Sequence, residues 1–129
     1  MQEAGSRWVA AEELSRGKVL TKACLRAGEN LQLPSRILAT ILGVSEATVS
    51  RMRTGEYVLK EAQKPYELAA LFVRLYRSLD ALVGGDDAVA AKWLKARNTA
   101  LNGVPLEMIQ SVSGLLNVIT YLDARRAVI

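Results

Sequence analysis

The chain has 129 residues, half of them apolar and 23% charged, with 17 Lys/Arg against 13 Asp/Glu. That composition suits one domain, or one small domain with an appendage, and argues against long disordered tracts. With no histidine and a single cysteine, the chain lacks the commonest general base, the commonest metal ligand and most nucleophilic dyads, so neither an enzyme nor a cofactor-binding protein is expected.

Met1 to Ser6 carry no basic start followed by an apolar stretch, so no secretory signal is read. No apolar run approaches the roughly 20 residues that span a bilayer. Cys24 cannot form an internal disulfide, which fits a reducing, cytoplasmic setting. Its apolar neighbours mark it as a small core residue rather than a reactive thiol. The sequence pI of about 9.5 is compatible with a polyanionic partner. Up to Lys64 there are ten basic against seven acidic residues, and from Pro65 seven against six, so the excess lies mostly in the first half.

The patterning predicts an all-α protein. Val19, Ala23, Cys24 and Ala27 recur at helical spacing, with Gly17 and Gly28 as start and stop signals. Pro34 opens a second helix with Ile37, Leu38, Ile41 and Leu42 inward, and Gly43 breaks it. Ser45 caps a third, short helix with Val49 and Met52 on its inner side, closed by Gly55. Pro65 begins what the pattern makes the longest helix. Its seam of Leu68, Phe72, Leu75, Leu79 and Leu82 alternates four- and three-residue steps. Two readings of that seam stay open: it joins two halves of one core, or part of it packs on a second copy. Gly84-Gly85 end this helix, with Asp86 or Asp87 capping the next, which carries Trp93 and Leu94. Asn98 to Val104 form a loop, and Pro105 starts a short helix from a position, Val104, that lacks a capping hydroxyl. A last helix holds Leu115, Val118, Ile119 and Leu122 inward and runs into Arg125 and Arg126. The division falls between 1–64 and 65–129.

The segment 35–54 meets every requirement of a helix-turn-helix. Ala39 is small where the second helix crosses, Gly43 permits the positive φ of the turn, and Val44 plugs the corner. Val49 and Met52 pin the second helix to Leu38 and Leu42. Ser45 caps that helix and leaves its partly positive end facing outward. Ser45, Glu46, Ala47, Ser50, Arg51 and Thr54 then point away from the core, toward a DNA major groove, with Thr48 and Arg53 at the margins. Short hydroxyls and arginines suit base edges and phosphates. Glu46 is the awkward member, read as complementing the helix dipole rather than accepting from a cytosine. Lys60 and Lys64 either reach the flanking backbone or are simply solvated.

From Leu42-Gly43-Val44-Ser45 through Ser50-Arg51 the sequence resembles the Xre-like half of the Xre/MbcA/ParS antitoxins. Trp93-Leu94, Asn98, Ala100-Leu101, Gly103, Pro105-Leu106, Gly114-Leu115 and Tyr121-Leu122-Asp123-Ala124 resemble that family's toxin-binding domain. The resemblance implies a helix-turn-helix domain followed by a small helical toxin-binding domain. It further implies an antitoxin of a type II system whose partner is a RES-domain toxin that consumes NAD or transfers ADP-ribose from it. Such antitoxins bind double-stranded operator DNA to repress their own operon, typically as homodimers within larger toxin-antitoxin complexes. Carried over, the toxin contact falls on Tyr121, Asp123, Arg125 and Arg126, with Arg126 entering the cleft. Trp93 is either a core anchor or part of that contact. The alternative is a free-standing transcription regulator without a toxin.

Overall fold

The computed structural model describes residues 2–127, which form seven α-helices and no β-strand. The first, α1, spans Gln2–Asn30 and is the longest at 29 residues. It runs straight through Gly17 and Gly28, which the sequence pattern marked as its limits. Gly17 is required for another reason: a Cβ there would stand 2.3 Å from the Leu59 carbonyl oxygen. A loop therefore lies directly on the helix backbone at this point. Gly28 is less constrained, since a Cβ there would meet only the end of the Leu38 side chain, at 3.2 Å. The true stop is Gln32, which takes a left-handed φ of 58° while Leu33 N–H bonds back to the Gly28 carbonyl at 2.9 Å. That closure satisfies the last carbonyls without a glycine. Of the four apolar residues at helical spacing, Cys24 and Ala27 are buried and Ala23 is half-buried, whereas Val19 is 67% exposed. Burial pushes the Cys24 thiol up to about 12, so it stays protonated and inert.

Helix α2 (Ser35–Leu42) and helix α3 (Glu46–Thr54) follow as the pattern predicts, with Ile37, Leu38, Ala39, Ile41 and Leu42 buried on the first and Val49 and Met52 on the second. A loop over 55–63 then returns across α1. Leu59 is buried under it, and its N–H donates to Thr21 Oγ1 at 3.0 Å. The Thr21 hydroxyl in turn donates to the Gly17 carbonyl.

Helix α4 (Lys64–Leu82) is second in length, not first. Most of its apolar seam is spent inside this chain: Phe72, Leu75 and Leu79 are fully buried, while Leu68 and Leu82 are half-buried. It packs on α1 and α2 to one side and on α7 to the other, so it joins two halves of one core. Helix α5 (Asp87–Lys95) starts at Asp86, whose carboxylate accepts from Val89 N–H. Tyr76 ties three helices together, accepting from Asn30 and donating to Asp87, each at 2.9 Å. Asn98 and Gly103 pair backbone to backbone across a tight turn. Helix α6 (Pro105–Met108) then begins at Val104 with no side-chain cap. Helix α7 (Val112–Ala127) buries Leu115, Val118, Ile119 and Leu122. One continuous apolar cluster runs from Cys24 through Phe72 to Leu122.

Candidate functional site

Two surfaces carry the residues singled out by the sequence. The first is the outer face of α3. Gly43 adopts φ 71° and Val44 N–H bonds to the Ala39 carbonyl at 3.0 Å, which turns the chain tightly enough to lay α3 across α2. Ser45 is extended, and its hydroxyl accepts from Thr48 N–H at 3.0 Å. That bond satisfies one orphan amide and aims the positive end of α3 outward. Glu46 sits in this first turn, where a carboxylate complements the dipole.

Ser45, Glu46, Ala47, Ser50, Arg51, Arg53 and Thr54 are all exposed, and Thr48 is half-buried. Arg51 is not loose, because its guanidinium donates to Thr48 Oγ1 at 3.2 Å, and Thr48 in turn meets the capping Ser45 hydroxyl. The cap thus orients Arg51 through Thr48. Arg53 reaches back to Ser35 Oγ at the start of α2, and the Thr54 hydroxyl is engaged by the Arg51 carbonyl and Glu56. These last two border the surface, while Ala47, Ser50 and Arg51 form its centre.

The second surface is the end of α7, and its charged residues divide onto opposite flanks. On one flank Trp93 of α5 stacks on Tyr121 with ring centroids 6.3 Å apart, and Arg125 lies 5.8 Å above the Tyr121 ring. Trp93 and Tyr121 are both half-buried, so the indole both anchors α5 and supports the tyrosine ring. On the other flank Asp123 is clamped to α4: Arg74 pairs with one carboxylate oxygen and Ser78 Oγ donates to the other at 2.9 Å. Arg126 donates to the same Ser78 hydroxyl at 3.2 Å. Partial desolvation opposes ionisation of Asp123, but hydrogen bonds from Ser78 and Arg74, with the charges of Arg74 and Arg126, hold its carboxyl below the usual range.

The four residues expected at one contact therefore fall into two groups, Tyr121–Arg125, joined by Trp93, and Asp123–Arg126. Sequence reasoning missed Arg74 and Ser78, the partners of the second group. Ser78 had a signal: it is a polar residue beside Leu75 and Leu79, buried to 1% exposure, and a buried hydroxyl calls for a partner.

Among the described residues no cluster of His, Cys, Asp and Glu is placed to hold a metal ion, and no helix is long and apolar enough to cross a membrane. Residues 10–74 match the antitoxin Xre-like helix-turn-helix domain, and residues 78–127 match the antitoxin Xre/MbcA/ParS C-terminal toxin-binding domain. No curated protein matches the chain.

Proposed function

This chain belongs to the Xre/MbcA/ParS-type antitoxins, and from that premise we propose that it neutralises a RES-domain toxin with the end of α7 and represses its own operon through α3. The observation that carries this reading is the presence of two distinct surfaces: a capped, polar, outward-facing helix in α3 and an aromatic and arginine-bearing terminus in α7. The first fits the major groove of double-stranded operator DNA. The second fits a cleft that binds the pyrophosphate of NAD, where a guanidinium is attracted and can bond in two-pronged fashion. On this reading the protein is a cytoplasmic binding protein and not itself an enzyme.

The resemblance favours Arg126 as the arginine entering the toxin cleft. The geometry favours Arg125, because Arg126 must first leave Ser78 and the neighbouring Asp123, while Arg125 rests only on an aromatic face. The units are proposed to divide near Lys64, with α4 reaching from the DNA-binding half into the toxin-binding half. We further propose that the protein is a homodimer. Most of the α4 seam is taken up by the core, so the part of α1 ahead of Lys18 offers the surface for a second copy: Trp8, Val9 and Leu14 are 72%, 52% and 51% exposed.

Co-expression with the adjacent gene, followed by sizing of the complex, tests the reading. A toxin should co-purify and be silenced, and truncation after Leu122 should abolish silencing while leaving operator binding in place. If no neighbouring product co-purifies or is neutralised, the toxin-blocking role is lost and only a DNA-binding regulator remains.

A further inference from the structure

Lys18, Lys22 and Arg26 follow one another at four-residue intervals along α1, so they share one side of that helix with about 6 Å between successive positions. All three are exposed, and among the described residues none makes an ion pair with an acid. Like charges one turn apart destabilise a helix, so this stripe works against the fold that carries it. Glu29 is the only acid in the second half of α1, and it too makes no ion pair.

The stripe lies beside the candidate recognition helix. A groove of about 470 Å³ runs between α1 and the C-terminal end of α3, with Lys18 and Lys22 on one wall and Arg53 and Thr54 on the other. Three cations thus border one groove, and Arg26 continues the line a turn further along α1. The two lysines that the sequence offered either for flanking contacts or as solvated surface residues have acidic neighbours. Lys60 lines a groove it shares with Glu13, Glu56 and Glu61, and Lys64 pairs with Glu67 at 3.4 Å.

We propose that Lys18, Lys22 and Arg26 form a track for the phosphates of one DNA strand, so that α1 grips the backbone while α3 reads the groove. The inference rests on the reading of α3 as a DNA-recognition helix. A regular line of unpaired cations matches a regular line of phosphates, and such contacts position a protein on the duplex without carrying sequence information.

The test is the salt dependence of binding. The probes are a duplex taken from upstream of the chain's own reading frame and a scrambled duplex of the same composition, each titrated by fluorescence anisotropy between about 50 and 200 mM salt. Each lost phosphate contact should flatten the log–log slope by about 0.9, so Lys18→Gln/Lys22→Gln should flatten it by about 1.8 on both duplexes alike. Lys18→Arg/Lys22→Arg should keep the wild-type slope, and Lys60→Gln/Lys64→Gln should leave it unchanged. An unchanged slope in the Gln pair overturns the track, as does an equal flattening in the Lys60/Lys64 control. Loss of toxin capture by the Gln pair with its slope intact assigns the stripe to the toxin instead and overturns it equally. A wild-type protein that binds neither duplex sinks both the track and the reading of α3.

Discussion

The outer face of α3 and the end of α7 present their functional side chains in opposite ways. On α3 the contacts that order the centre of the face are local: Ser45 to Thr48 to Arg51, each three residues from the next. On α7 they are distant: Asp123 meets Arg74 and Ser78, 49 and 45 residues away, and Arg126 meets Ser78 at 48. One surface is built by a short segment and held up by the core. The other exists only after α7 has docked on α4. The DNA face should therefore tolerate changes in the C-terminal half better than the α7 face tolerates changes in α4, provided the shared core survives.

That proviso gives the largest expected effect. Phe72 is fully buried in α4 between the two halves, and Phe72→Ala should cost about 3–5 kcal/mol. A single cooperative melt shifted far down, with both functions lost, is the expected result. Two separate melting transitions in the wild type would break the comparison, because the halves would then be independent. Gly17→Ala should come next, since its Cβ meets a backbone oxygen that has no flexible end to yield. Overpacking of this kind costs roughly 1–3 kcal/mol, read by thermal denaturation. The damage should spread from the 55–63 loop and weaken DNA binding before it touches the α7 face.

Arg51→Ala sharpens the comparison at the level of binding. If Arg51 contacts a base, operator affinity should fall by about 1–3 kcal/mol while toxin silencing is unchanged. Ser45→Ala should weaken operator binding less, while lowering stability by about 1 kcal/mol, as it removes the cap of α3 and the hydroxyl that orients Thr48. Should either variant also lose toxin silencing, the two surfaces are coupled and their separation is wrong.

The same contrast explains what the sequence made legible. Helices α2 and α3, the turn at Gly43, the cap at Ser45, and the inward stripe of α7 all follow from residues within one or two turns of each other. Gly17 misled, because a glycine demanded by a loop from residue 59 looks, in sequence, like a glycine demanded by a helix end. Gln32 was silent, because nothing in its chemistry announces a left-handed φ. Arg125 and Arg126 could be placed at a helix end but not on opposite flanks, because what separates them is Ser78 on a different helix and Tyr121 beneath the other arginine.

The weakest expected effect lies in that separation. Asp123 carries a carboxyl whose folded pKa lies below its unfolded value of about 3.9. The stability this contributes is present above the unfolded pKa and is lost as pH falls through the folded one. Asp123→Asn should therefore melt below wild type by a constant margin between about pH 6 and 8, and the margin should narrow below about pH 5. Its size should not exceed about 1 kcal/mol, since the Arg74 partner is 62% exposed and solvent screens the pair. The same substitution loosens the clamp beside Arg126 without touching Arg125. If toxin affinity rises in Asp123→Asn and falls in Arg126→Ala, Arg126 is the arginine that leaves α4 to enter the cleft. If Asp123→Asn has no effect on toxin affinity and Arg125→Ala removes it, the flank bearing Trp93 and Tyr121 is the one the toxin holds.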